Sequence, residues 1–132
     1  MGKIDIGSME SFSFENDPIV IRADFKGIDG GVVLNVDGYD GEHIRAGQLI
    51  IREKDKEDPE YKPLGVENGN YKALPDGYEY AGVCRETKSV KEPFVGVMTW
   101  GEVNDIASPY PITAALKATL KTALPHIGFE HD

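Results

Sequence analysis

The chain offers few side chains whose types and spacing could do chemistry. Its three histidines are His43, His126 and His131, and none is separated from another by a metal-ligand interval on a predicted element. A structural zinc site takes four ligands, mostly cysteine or histidine, and this chain has a single cysteine, Cys84. We therefore expect no zinc site. The histidines are predicted to be exposed polar residues, and Cys84 to be a small buried side chain within a strand.

The acidic segment at residues 35–42, with the sequence Asn-Val-Asp-Gly-Tyr-Asp-Gly-Glu, is the other place to look for a metal ion. An EF-hand calcium loop needs ligands at alternate positions, a glycine at the sixth position and a glutamate at the twelfth. This segment does not fit that template, and Asp-Gly pairs are typical of turns. We predict a turn here and no metal ion.

The sequence contains no arrangement of residues that is typical of an enzyme. It lacks the Gly-x-Ser-x-Gly turn that presents a nucleophilic serine, and no glycine-rich phosphate loop precedes its predicted helix. Its 23 acidic residues offer many pairs of carboxylates. Nothing in the sequence brings a particular pair together for acid–base catalysis. We therefore predict a protein with no catalytic activity and no cofactor.

Aromatic side chains are the remaining candidates for a binding site. Tyr39, Tyr78, Tyr80 and Trp100 could act as stacking platforms for a sugar. These residues fall mostly in predicted strands, and Trp100 ends the most apolar of them. Core packing or a subunit contact is therefore the favoured interpretation of Trp100.

The balance of charge excludes several classes of partner. With 14 Lys and Arg against 23 Asp and Glu, the net charge is −9. Nucleic acids and anionic membranes both bind through basic residues, so we expect neither as a partner. A protein partner with basic patches would suit the charge. No apolar run approaches the ~20 residues of a membrane span. Residues 1–10 lack the apolar core of a signal peptide, so we expect synthesis in a cytoplasm, followed by retention there or by transport from it inside an assembly.

A strand followed by a helix is the most clearly marked part of the chain. Residues 78–84 and 94–100 are predicted strands, and residues 101–104 end the second one. From residue 112 the apolar period changes from 2 to about 3.6, which predicts an amphipathic helix. Lys117 and Lys121 are predicted to face solvent, Pro125 to end the helix, and residues 127–129 to form a short apolar tail. The predicted apolar face contains Ile112, Ala115, Leu116, Thr119, Leu120, Ala123 and Leu124.

The first half of the chain is predicted to form short strands separated by glycine turns. The predicted strands are residues 19–23, 32–36, 46–51 and 61–64, and residues 52–60 form a charged loop. The fold class is therefore α+β and β-rich, with a small mixed sheet or barrel-like body and one dominant C-terminal helix. We predict an N-terminal arm at residues 1–17 and a single domain at residues 18–132. In the arm, Phe12 and Phe14 alternate with serine as in an edge strand.

The order of these segments resembles that of the head decoration proteins of lambda-type tailed phages. Residues 46–51 (Ala-Gly-Gln-Leu-Ile-Ile), 61–64, 80–84 and 97–104 resemble successive strands of that family. Residues 112–120, ending at 126–129, resemble its terminal helix and the segment after it. The Gly-Glu-Val-Asn run at residues 101–104 is the most specific part. The resemblance covers residues 46–129, about two thirds of the chain, and leaves the N-terminal third unplaced.

Several expectations follow from the resemblance alone. It implies a homotrimer that binds the major capsid protein on the outside of the expanded phage capsid and stabilises the shell. The protein would be made in the host bacterial cytoplasm and end on the exterior of the virion. It would do no catalysis. The alternation at residues 11–15 adds the expectation that Phe12 and Phe14 of the arm contact the capsid. The alternative is a β-rich carbohydrate-binding or head-fibre-type adhesion module, which would use the exposed aromatic rings.

Deletion of residues 1–17 tests the role assigned to the arm. A segment with so little apolar surface contributes little to the stability of the domain, so the melting temperature should be nearly unchanged. Capsid affinity should fall by tenfold or more, about 1.4 kcal/mol. Unfolding of the truncated protein would instead make residues 11–15 an integral strand. A stable truncated protein with full capsid affinity would exclude any role for the arm.

Overall fold

A six-stranded mixed sheet forms the body of the structure, a computed structural model that describes residues 17–131. The predicted arm, with Phe12 and Phe14, lies outside the described residues apart from Asp17. The elements in chain order are α1 (Asp17–Val20), β1 (Ile21–Gly27), β2 (Val32–Val33), β3 (His43–Ile44), β4 (Leu49–Glu53), β5 (Tyr61–Pro63), β6 (Val66–Glu67), β7 (Asn70–Tyr71), β8 (Tyr78–Cys84), β9 (Lys88–Ser89), β10 (Phe94–Val95), β11 (Val97–Asn104), α2 (Ala114–Ala123) and β12 (Ile127–Glu130).

Strand β11 makes the most pairings in the sheet, whose order is β1-β11-β8-β4-β5. Antiparallel β1 lies along one edge of β11, while antiparallel β8 pairs only with Val97 and Met98 on the other edge. Parallel β12 takes the rest of that second edge, at Gly101 to Asn104. The small strands form three further pairs, β2–β10, β3–β9 and β6–β7. The predicted α+β, β-rich fold with one C-terminal helix is confirmed, and the sheets do not close into a barrel.

Apolar side chains are buried on both faces of the sheet. In β4, Leu49 and Ile51 belong to one core cluster and Ile50 to the other, and all three are fully buried. Because alternate residues of a strand point to opposite faces, a strand that is covered on both sides must be apolar without interruption. This explains the continuous Leu-Ile-Ile run. Leu120 of α2 and Leu124, the residue that follows the helix, belong to the first cluster, so the helix covers that face.

The C-terminal helix has a narrower apolar face than its sequence period predicts. Thr113 caps its N-terminus, where the side-chain oxygen accepts a hydrogen bond from the Leu116 amide at 3.1 Å. Leu120 and Leu124 are buried and Leu116 is half-buried, whereas Ala115, Thr119 and Ala123 are exposed. Ile112, the remaining predicted member, precedes the helix and packs half-buried against the first core cluster. A ten-residue helix at the margin of the sheet buries a single row of side chains, so the wider apolar stripe was an incorrect prediction.

Lys117 does not simply face solvent, in contrast to the sequence-based prediction. Its ammonium group forms an ion pair with Asp105, whose side chain is only 7% exposed. The second oxygen of the same carboxylate lies 2.8 Å from Nδ1 of His131. Asp105 therefore connects α2, the end of β11 and the residue that follows β12. Lys121 is exposed, as predicted.

Several segment boundaries also differ from those predicted. The predicted strand at 19–23 begins as helix α1, and β1 starts only at Ile21. The predicted strand at 46–51 starts at Leu49, because a turn at residues 45–48 comes first, with a hydrogen bond from the Gln48 amide to the Arg45 carbonyl. The predicted strands at 32–36 and 94–100 are shorter or interrupted: β2 ends at residue 33, and β10 and β11 are separated by residue 96. The predicted tail at 127–129 is a sheet strand, β12.

Replacement of Leu120 tests how α2 is packed. Leu120→Ala should lower the unfolding free energy by about 2–5 kcal/mol, because it leaves a cavity under a fully buried side chain. Leu116→Ala should cost less, since Leu116 is only half-buried. Thr122→Ala, at an exposed position of the same helix, is the matched control. Urea unfolding measures all three variants, and a wild-type midpoint for Leu120→Ala would contradict this packing.

Asp105 should make stability depend on pH in the acid range. The hydrogen bond from Lys117, reinforced by His131, holds the pKa of the Asp105 carboxyl below its usual value of 3.8. Because the folded pKa is the lower one, the carboxylate stabilises the fold above about pH 4, and this contribution is lost as the pH falls through the folded value. Asp105→Asn should therefore cost about 1 kcal/mol near pH 7, a modest figure because Lys117 is partly exposed.

The same comparison at two pH values checks the origin of that loss. The difference in urea midpoint between wild type and Asp105→Asn should shrink between about pH 7 and about pH 3. Asp58→Asn removes an exposed carboxylate and should change the midpoint little at either pH. A pH-independent loss for Asp105→Asn would show that shape, and not charge, is responsible.

Candidate functional site

Two large aromatic side chains lie side by side on the outside of the sheet. Phe25 of β1 is 70% exposed and Trp100 of β11 is 50% exposed. Their ring centroids are 6.5 Å apart in an edge-to-face arrangement. The ring of His126 lies 5.4 Å from that of Trp100. These three residues are called the aromatic surface below. The prediction that Trp100 packs in the core is wrong, and its alternative, a subunit contact, stays a prediction.

The local geometry of β11 explains why these rings face outward. Gly101 approaches β1 so closely that a Cβ atom there would clash with the Ala23 carbonyl oxygen and the Met98 sulfur. Beyond it, Val103 points into the first core cluster, so Trp100 and Glu102 point to the opposite face. The second core cluster, on that face, includes no member of β1, β12 or residues 99–104. Among the described residues, this end of the sheet therefore has one uncovered face.

The exposed apolar surface continues beyond Phe25. Phe94 and Val33, cross-strand neighbours on β10 and β2, are 55% and 68% exposed. Phe25 and Phe94 line one shallow hollow together with Arg85. The Arg85 guanidinium forms an ion pair with Asp24 at 2.7 Å, although its Nε is not aligned for a hydrogen bond. Contiguous exposed apolar surface of this kind marks an interaction site in soluble proteins.

The chemical candidates from the sequence are dispersed through the fold. Cys84 is buried, as predicted, and its thiol lies 3.0 Å from the Glu86 carbonyl oxygen. His126 and His131 are exposed, as predicted, whereas His43 is half-buried in the β3–β9 pair. Within residues 17–131, no group of three or more His, Cys, Asp or Glu side chains is placed to hold a metal ion. In the same range, no helix is long and apolar enough to cross a membrane.

The acidic segment forms the predicted turn. The Asn35 side-chain oxygen accepts a hydrogen bond from the Asp37 amide at 2.9 Å, and Gly38 adopts a φ of +78°. The amide group of Asn35 also donates to Glu60 at 2.6 Å. The carboxyl group of Glu60 accepts a further hydrogen bond from the Tyr78 hydroxyl at 2.8 Å. Asn35 and Glu60 thus fasten the turn to the sheet.

Two half-buried tyrosines and the buried Gln48 hold the other side of this turn. The Gln48 side chain is fully buried and exchanges hydrogen bonds with the Tyr39 hydroxyl, at 2.9 and 3.2 Å. Burial raises the pKa of Tyr39 to about 12, and burial likewise raises that of Tyr71. The Tyr71 hydroxyl accepts a hydrogen bond from the Leu49 amide at 3.1 Å, and its ring packs edge-to-face on Tyr110 at 5.2 Å. Tyr39 and Tyr71 are therefore neutral at physiological pH.

Of the four aromatic residues predicted as stacking platforms, only Trp100 is widely exposed. Tyr39 is bound to Gln48, and Tyr78 is bound to Glu60 with the Lys62 ammonium 4.3 Å from its ring centroid. Tyr80 packs against the first core cluster. Sequence reasoning did not identify Phe25, which lies between the charged residues Asp24 and Lys26 in a strand whose register with β11 is irregular. Simple alternation cannot show which way such a side chain points.

Phe12 and Phe14, the predicted partner-binding residues, lie outside the described residues, so the structure bears on neither. Comparison of the chain with protein-family models, with curated proteins and with solved structures finds no match in any of the three.

Proposed function

We propose that this protein is a non-enzymatic decoration protein that binds the outside of an expanded tailed-phage capsid and stabilises it. The observation that supports a binding role most directly is the exposed Phe25–Trp100 pair on the uncovered end of the sheet. The resemblance of residues 46–129 supports the choice of the major capsid protein as the partner. The protein would act as a homotrimer on the virion exterior after synthesis in the bacterial cytoplasm.

Exposed aromatic rings suit such a contact energetically. Tryptophan is among the side chains that most often dominate the free energy of protein interfaces. The edge-to-face contact of Phe25 with Trp100 limits the side-chain freedom that each ring has to lose on binding. The net charge of −9 disfavours nucleic acid and suits a partner with basic patches.

Mass action would convert this contact into stability of the capsid. A ligand that binds the expanded lattice and not its precursor shifts the equilibrium toward the expanded form. A trimer would bind through three copies of the aromatic surface, and the second and third contacts would be effectively intramolecular. The arm, with Phe12 and Phe14, would add a second contact in each subunit.

The alternative function is a carbohydrate-binding or head-fibre-type adhesion module. One observation favours it: the indole ring of Trp100 is half exposed and flanked by two other rings, as in a stacking platform. A glycan array would separate the two functions, because glycan binding that is lost in Trp100→Ala would support adhesion.

Removal of the indole ring tests the capsid contact. Trp100→Ala should lower affinity for expanded capsids of the parent phage by at least tenfold, about 1.4 kcal/mol. Its melting temperature should change little, since the side chain is half exposed. Phe25→Ala should have a smaller effect in the same direction. Ile106→Ala removes an apolar side chain that is as exposed as Phe25, at a different place on the surface, and serves as the control.

Co-sedimentation with expanded capsids measures affinity, and the mass in solution of each variant reports its oligomeric state. Equal binding by Trp100→Ala and Ile106→Ala would contradict the proposed contact. A Trp100→Ala protein that loses its trimeric mass but still sediments with capsids would assign the aromatic surface to the subunit interface instead.

A further inference from the structure

A second concave site lies away from the aromatic surface. It is a cleft of about 430 Å³ between the turn at residues 37–41 and the β5–β7 region, with Tyr110 at its side. Pockets of roughly 300–1,000 Å³ are typical of small-ligand sites. None of Phe25, Trp100 and His126 lines this cleft. A ligand bound here would therefore be independent of the proposed capsid contact.

The cleft has an apolar base and a charged rim whose charges balance. Besides the buried Ile51 and Pro63, its lining includes three apolar side chains that are half-buried or exposed, Val66, Ala73 and Pro75. The turn supplies the carboxylates of Asp37 and Asp40, while β5 and the chain after β7 supply the ammonium groups of Lys62 and Lys72. Two negative and two positive groups leave the rim without net charge, although the whole chain carries −9. Neither sign of charge predominates at such a rim.

Three of the four charged groups of the rim are available to a ligand, and the fourth, the Lys62 ammonium, lies over the Tyr78 ring. Within residues 17–131, Asp37, Asp40 and Lys72 have no side-chain hydrogen bond or ion pair. The side chain of Asn35 is different, since its oxygen and its amide group are both engaged. Asn35 therefore positions the turn, and the charged side chains beside it remain free to accept or donate hydrogen bonds.

The walls of the cleft are held in place before any ligand arrives. The turn is fastened to β5 through Asn35 and Glu60 and to the core through Tyr39 and Gln48. The ring of Tyr110 is packed edge-to-face on the half-buried Tyr71. A site that is built in advance loses less conformational entropy on binding.

We infer that this cleft is a binding site for a neutral saccharide. An aromatic ring and an apolar base suit the carbon face of a sugar, and neighbouring carboxylates and ammonium groups suit its hydroxyls, which both donate and accept hydrogen bonds. A ligand without net charge matches the balanced rim. Asp37 and Asp40 accept hydrogen bonds from the hydroxyls, Lys72 donates to them, and the ring of Tyr110 lies against the sugar.

Titration of the full-length ¹⁵N-labelled chain with the methyl glycosides of glucose, galactose and N-acetylglucosamine tests the inference. At least one glycoside should shift the amide signals of Gly38, Tyr39, Lys72 and Ala73, with an affinity of about 1 mM. The double variant Asp40→Asn/Lys72→Ala should bind at least tenfold more weakly. The double variant Asp58→Asn/Lys54→Ala makes the same chemical changes in the exposed loop before β5 and should bind as the wild type does.

Other probes and the Trp100→Ala variant give the outcomes that would overturn the inference. Trp100→Ala should bind the glycoside with the affinity of the wild type, because Trp100 does not line the cleft. Normal capsid binding by this variant would contradict the proposed capsid contact and would leave the inference about the cleft unaffected. Glycylglycine and inorganic phosphate should not shift the cleft amides; if only they do so, the ligand is zwitterionic or anionic and not a saccharide. Glycoside-induced shifts confined to Phe25 and Trp100 would move the sugar site to the aromatic surface. No shift with any glycoside up to about 10 mM would exclude the site.

Discussion

The pairing of β11 with three other strands is the constraint on which the structure depends. β1 occupies one edge of β11, and β8 and then β12 share the other. Only a residue without a side chain fits at Gly101, because β1 and the Met98 side chain approach from both sides. Once Gly101 and Val103 face the core, the strand alternation places Trp100 and Glu102 on the opposite face. The register of β11 against β1 therefore determines both which side chains fill the core and which form the aromatic surface.

The ends of the chain depend on the same strand. After β11, Asp105 accepts hydrogen bonds from Lys117 of α2 and from His131, which follows β12. A carboxylate that is almost inaccessible to water requires such partners, because an unpaired buried charge would be strongly destabilising. The ion pair thus holds the helix and the last strand in the positions from which Leu120, Ile127 and Phe129 fill the first core cluster.

Both candidate binding regions consist of side chains that the core does not need. On the aromatic surface, Phe25 and Trp100 lie where the second core cluster ends. At the cleft, the buried polar contacts of Asn35, Glu60 and Gln48 fix a turn whose own carboxylates face outward. One region is apolar and suits a protein partner, and the other is polar and balanced in charge and suits a small hydroxylated ligand. Such a division is consistent with a binding protein that has more than one partner.

The sequence by itself determined the class of the fold, because hydrophobic periodicity acts over neighbouring residues. It correctly placed the strand at Tyr78–Cys84, the burial of Cys84 and a helix near the C-terminus. It could not show that residues 127–130 form a parallel strand, since the partner of that strand is about 26 residues away and is reached only through α2. For the same reason it misassigned Lys117, whose partner Asp105 lies outside the helix.

The candidate sites were decided by the tertiary structure alone. Trp100 ends an apolar run and is typical of a core residue in sequence, yet the register imposed by Gly101 and the limited extent of the second cluster leave it exposed. Tyr39 and Tyr110 belong to segments about 70 residues apart, and only the folded chain brings both to one cleft. Local pattern determines which segments form strands and helices, whereas long-range pairing determines which side chains those elements leave uncovered.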